Sequence, residues 1–100
     1  MKEELINQFI TRNGFTAERA EELANLNEEL VSRMKEAIVK FYFTKVDGSM
    51  REAYGTLRED LLPELKGGRN TPANDTVQVY FDCEKQAWRS YKRANLVKIA

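Results

Sequence analysis

The chain of 100 residues contains no histidine, and that absence removes more chemistry than any other feature of its composition. Without imidazole it lacks the commonest general base and the commonest transition-metal ligand, and no Ser–His or Cys–His pair can form. Cysteine is almost as scarce. The single Cys83 has no internal disulfide partner and no Cys-x-x-Cys mate, which fits a reducing compartment. No apolar run approaches the roughly 18–20 residues that span a bilayer. The opening stretch Met1–Ile10 is too acidic and its apolar run too short for a secretory signal, so the expected location is the cytoplasm. The adjacent acids Glu59 and Asp60 have nothing nearby to separate their proton affinities. The chain therefore reads as no enzyme, with no cofactor and no metal site.

Net charge is also absent. Sixteen basic and sixteen acidic residues cancel, so the total gives no field for a polyanion. The distribution is uneven, however. Residues 1–37 carry eight acids and five bases, and residues 38–100 carry eight acids and eleven bases. Between Lys85 and Lys98 lie five bases and no acid. Such a split can mark a polyanion-facing end, and it equally suits an acidic helical part covering a basic one.

What is present is pattern. Leu5, Ile6, Phe9 and Ile10 form one helical face, and Asn13-Gly14 stops that helix. Phe15 is placed to pack back on Ile10. Thr16 is an N-cap with Glu18 in the first turn, and Leu23, Leu26, Leu30 and Met34 continue a helical stripe. Asn27 before Glu28-Glu29 resembles a further N-cap, so residues 1–37 form either two helices, the second long, or three.

The period then changes from 3.6 to 2. Val39, Phe41 and Phe43 alternate with Lys40, Tyr42 and Thr44. Asp47-Gly48 marks a hairpin turn before a second strand over 50–57. A three-residue loop with a bulge at Gly48 pairs Phe41 with the small Ala53. Residues 58–75 form a long connection, with both prolines and an adjacent glycine pair. Strands follow over 76–82, with Val77, Val79 and Phe81 inward, and over 87–92. A 3₁₀ turn at Arg93–Asn95 leads to a last strand over 96–99. Five short strands with tight hairpins predict an α+β protein: an N-terminal helical segment, 1–37, packed on a small five-stranded SH3-like β-barrel, 38–100.

Certain stretches resemble a known family. They are Phe41-x-Phe43-Thr44-Lys45-x-Asp47-Gly48-Ser49, Arg51-Glu52-Ala53-x-Gly55-Thr56, Tyr80-Phe81-Asp82 and Trp88-Arg89-Ser90. Together they resemble small bacterial proteins of unknown function described as SH3 β-barrel fold-containing, common in gut anaerobes and their mobile elements. The resemblance covers 41–99; it implies a barrel and no activity. The segment from Trp88 to Ile99 also resembles the closing strands of WYL-type ligand-sensing domains, without their Trp-Tyr-Leu motif. Residues 12–38 resemble the three-helix ubiquitin-associated pattern, with Asn13-Gly14-Phe15 in the loop after helix one.

Trp88 and Tyr91 must face opposite sides of their strand, so one of them lies outside the barrel core. Tyr42 and Tyr80 fall on outward phases. Tyr42, Tyr80, Trp88 and Tyr91 are therefore the candidate contacts for a protein partner, together with the 58–75 connection. Trp88 packed beneath the amphipathic helices is the competing structural role. Arg89, Lys92, Arg93 and Lys98 are the candidate phosphate contacts if the ligand is a nucleic acid. Assembly into a homo-oligomer is the third possibility.

Overall fold

A computed structural model describes residues 2–61 and 76–100. Two helices, α1 (Lys2–Asn13) and α2 (Ala17–Met34), precede five strands. The strands are β1 (Val39–Thr44), β2 (Met50–Thr56), β3 (Val77–Asp82), β4 (Ala87–Lys92) and β5 (Leu96–Ile99). One antiparallel sheet runs β4-β3-β2-β1-β5, and the helices share a core with the sheet face that carries Phe41, Tyr80 and Tyr91. The ubiquitin-associated pattern is not realised, since two helices are present and the second runs unbroken for 18 residues.

Local chemistry explains the helix ends. Thr16 Oγ1 accepts the Arg19 N–H at 3.1 Å, and Gly14 takes a positive φ of 68° at the end of α1. Phe15 folds back on Phe9, by a backbone bond at 3.1 Å and an edge-on ring contact, rather than on Ile10. At the end of α2 the Thr56 hydroxyl lies 3.1 Å from both the Met34 and Ala37 carbonyls, and the Leu57 N–H donates to Met34 at 2.8 Å. The strand following the hairpin thus satisfies carbonyls that the helix leaves open.

The hairpin is the expected one. Phe41 pairs with Ala53, Gly48 has φ 91°, and Asp47 Oδ1 accepts both the Ser49 N–H and its hydroxyl. Phe41, Phe43, Tyr80 and Tyr91 form a ring cluster with centroids 5.1–6.1 Å apart. Leu23, Leu30, Met34 and Leu96 join them in one core beneath α2. Gly55 makes that core possible: a Cβ there would sit 2.6 Å from Tyr80 Cδ2 and 3.0 Å from Phe41 Cε1.

Two expectations are corrected. Asn27 is not an N-cap. It is buried inside α2, its amide donating to Leu23 O at 2.9 Å and Arg93 O at 3.1 Å, its Oδ1 accepting the Tyr91 hydroxyl. The phase of β3 is inverted as well. Tyr80 is fully buried in the ring cluster, while Val77 and Val79 are only half-buried. Phe81 is buried outside that cluster, edge-on to Trp88 at 5.7 Å. Alternating apolar residues mark the buried face only where the other face is polar and solvated. Here the face of Gln78, Tyr80 and Asp82 turns inward, because Asp82 finds cationic partners there.

Candidate functional site

The sheet does not close through backbone hydrogen bonds between β4 and β5. An open cleft of about 790 Å³ follows that seam, with β4 on one side and the end of β1 and the hairpin loop on the other. Its aromatic wall comes from Phe43, Tyr80, Trp88 and Tyr91. Its cations are Lys45, Arg51, Arg89 and Lys92, against one acid, Asp47, on the rim.

Behind the cleft wall lies Asp82, with no solvent exposure. Its Oδ1 accepts the Glu84 and Lys85 N–H groups at 2.9 and 3.1 Å and so shapes the β3–β4 turn. Its Oδ2 receives Arg51 Nη2 at 3.0 Å and faces Arg89 Nε at 3.5 Å. Two guanidinium groups thus share one carboxylate, leaving an excess of positive charge. The Arg51 Nε–H and the Tyr80 hydroxyl are buried and lack a hydrogen-bond partner of good geometry. The Arg51 guanidinium and the Asp82 carboxylate nevertheless both act electrostatically on Tyr80. Burial pushes the Tyr80 hydroxyl above the ordinary tyrosine range; Asp82 adds to this, and Arg51 and Arg89 oppose it. Burial first and Asp82 second push the Cys83 thiol up, which disfavours the reactive thiolate.

The nominated residues do not all meet. Trp88, Arg89 and Lys92 line the cleft, and Trp88 is half-buried against Phe81, outside the helix-covered core. Tyr80 and Tyr91 reach it only as buried walls, so the outward position expected for Tyr80 is corrected. Arg93 belongs to a separate groove beside α1 and α2, where its Nη2 donates to Gln78 Oε1 at 3.1 Å. Tyr42 lies on the outer face of β1, with Lys98 Nζ 5.0 Å and Lys40 Nζ 5.7 Å from its ring centre. Its hydroxyl donates to Glu52. A hydrogen bond between Lys40 and Tyr42 first, and the Glu52 charge second, raise the proton affinity of Lys40. The basic residues Arg89, Lys92, Arg93 and Lys98 therefore occupy three surfaces. The connection over 62–75 lies outside the described residues.

Sequence reasoning missed Lys45 and Arg51 as cleft cations. Arg51 reaches over to Asp82 on β3, and its neighbour Glu52 pairs with Lys40 of β1 at 3.6 Å. The signal that finds it is the acid at position 82 in a strand otherwise fit for burial.

Among the described residues no group of acids and cysteine could hold a metal ion, and no helix is long and apolar enough to cross a membrane. Five antiparallel strands in this order, capped by helices and carrying a basic aromatic seam, define a small SH3-like barrel of the α+β class. The family model described as WYL_2, Sm-like SH3 beta-barrel fold, matches residues 27–97, and the chain belongs to that family. The match begins at Asn27, within α2. A protein of Enterobacteria phage T4, described as an uncharacterized 11.5 kDa protein in the Gp31-cd intergenic region, is 27% identical over 84 residues, spanning 79% of this chain and 81% of its own. No solved structure gives a significant match.

Proposed function

We propose that this protein is a non-catalytic interaction module that takes an acidic segment of a protein partner into the seam cleft. The observation that carries the proposal is the convergence of Lys45, Arg51, Arg89 and Lys92 on an aromatic wall containing Trp88. Tryptophan and arginine dominate the energetics of protein contacts, and an aromatic wall beside charge suits a segment with alternating acidic and apolar side chains. A nucleic acid is the poorer fit, because a phosphate chain needs cations along one continuous path and Arg93 and Lys98 lie off it.

The test is paired capture. Wild-type protein and the Arg89→Glu/Lys92→Glu variant are each immobilised and exposed to lysate of the native host. The proposal expects a protein retained by the first and lost by the second, and its segment of contact to be acidic. Trp88, the single tryptophan, reports engagement by its fluorescence. Equal retention by both forms overturns the proposal, as does tight binding of labelled single-stranded DNA or RNA that weakens steeply with salt.

A further inference from the structure

The register of β4 specifies more than a charged cleft. Arg93 N–H donates to Thr76 O at 3.0 Å, and the strands continue in strict antiparallel pairing, Lys92 with Val77 to Ala87 with Asp82. Hydrogen-bonded positions alternate along such a ladder. Arg93, Tyr91 and Arg89 therefore use their backbone groups toward β3, and Ser90 and Lys92 aim theirs away from it. Among the described residues β4 is the last strand on that side of the sheet.

The cleft lies along this edge. Residues from both faces of β4 line it, Arg89 and Tyr91 from one and Ser90 and Lys92 from the other. Only a cleft running beside the strand can touch both faces of consecutive residues. Five consecutive β4 residues, 88–92, border it, about 17 Å of extended chain at 3.3–3.4 Å per residue.

We infer that the seam cleft binds its partner by strand addition: an extended acidic segment of another protein pairs its backbone with Ser90 and Lys92 of β4 and turns alternate carboxylates toward Arg89 and Arg51. This rests on the proposed interaction function and adds the mode and the ligand pattern. Main-chain bonds supply affinity in such complexes, and alternate side chains supply specificity. Here alternate carboxylates fall on the face of β4 that carries Arg89. There the cations outnumber the Asp82 charge, and no hydrogen bond of good geometry reaches the buried Tyr80 hydroxyl or the Arg51 Nε–H. The intervening side chains fall on the Ser90 face beside Trp88, where apolar or small residues fit. The pattern required is acid-x-acid-x-acid in an extended segment.

The probe is a synthetic acetylated hexapeptide amide, Glu-Thr-Glu-Val-Glu-Thr, titrated to millimolar concentration into the full chain labelled with ¹⁵N. A second probe has the same sequence with alternate backbone nitrogens methylated on the pairing edge. The inference expects the first peptide to shift the Ser90 and Lys92 amide signals and slow their hydrogen exchange at least tenfold, and the methylated one to do neither. Ser90→Pro removes the outward N–H without touching the β3 ladder, and it should abolish the response while leaving the melting temperature close to wild type. Equal binding of the two peptides overturns strand addition and leaves an acidic-segment site in place. Absence of binding by either peptide overturns the inference, while the paired capture still judges the proposed function by itself. Ser90 and Lys92 amides already protected in a peptide-free dimer also overturn it, because a second copy then holds the edge.

Discussion

The Tyr91 hydroxyl donates to Asn27 Oδ1 at 3.1 Å, tying the middle of α2 to the last residue but one of β4. Asn27 completes the link by donating to the Arg93 carbonyl at 3.1 Å. A buried amide with both ends satisfied fixes how the helix sits on the barrel.

Removing the amide should cost far more than removing the hydroxyl. Asn27→Leu leaves the Tyr91 hydroxyl and the Arg93 carbonyl without partners, and should destabilise by about 2–4 kcal/mol. Tyr91→Phe leaves one acceptor unpaired and should cost about 1–2 kcal/mol. The double variant should lose less than the sum, since the second change removes a group already stranded. Urea denaturation of the four proteins measures this directly. Additive costs would show that the bond carries no coupling.

This pair also marks where sequence reasoning succeeded and stopped. The hairpin was legible because Asp47-Gly48 and the alternation of Phe41 and Phe43 agree on one register. The ends of β4, the 3₁₀ turn and β5 were legible for the same reason. Asn27 misled because an asparagine before two glutamates is the local signature of a helix start, and only a distant tyrosine makes its burial favourable. Tyr80 misled because Val77, Val79 and Phe81 present the more apolar face of β3. Asp82 is drawn inward by arginines 31 residues earlier and seven residues later, a pairing that no local window contains. The cleft inherits the β3 error, since Tyr80 forms part of its wall, and it needs Arg51, whose carboxylate partner lies on another strand.

Alkaline pH should loosen the protein in a way that Tyr91 dominates. Burial holds its hydroxyl well above the ordinary tyrosine range, with the Arg93 charge opposing and Tyr80 adding to the rise. In the unfolded chain the group loses its proton near pH 10. A raised folded value means the stabilising contribution is complete below pH 10 and falls as pH climbs through the interval above it. Tyr80 shifts in the same direction. Melting temperatures from pH 8 to pH 11.5 should therefore fall, and Tyr91→Phe should flatten the upper part of that curve. Lysines titrate in both proteins, so the difference between the two curves isolates the tyrosine. Identical slopes would refute the assignment.

Gly55 and Gly48 should respond to alanine for different reasons. At Gly55 the added methyl meets Tyr80 at 2.6 Å, Phe41 at 3.0 Å and the Met34 sulfur at 3.2 Å. The sulfur can yield, but the two rings belong to a packed cluster, so Gly55→Ala should cost about 2–3 kcal/mol. At Gly48 the space is open and the difficulty is the backbone at φ 91°. Gly48→Ala should cost about 1–2 kcal/mol, and Gly48→Asn should recover much of that. Denaturation midpoints separate the cases. An asparagine that rescues position 48 should fail at position 55, where size is the obstacle.

The two arginines that share Asp82 should prove unequal, and the inequality makes the cleft testable. Arg51 is mostly covered and lies 3.0 Å from the buried carboxylate; Arg89 is more exposed and stands off at 3.5 Å. Asp82→Ala strips the two turn N–H groups of their shared acceptor and leaves Arg51 facing the interior unpaired, at a cost of about 3–5 kcal/mol. Arg51→Ala leaves the buried carboxylate with only the looser arginine and should also destabilise strongly. Arg89→Ala removes a partly solvated partner while Arg51 and the turn still satisfy Asp82, and should cost less than about 1 kcal/mol. Thermal melts of the three variants check the order. If Arg89→Ala melts as wild type does, any ligand binding it abolishes is lost from the cleft itself and not from the fold. If it unfolds as readily as Asp82→Ala, the second arginine is a structural member of the cluster and the excess positive charge is not available to a partner.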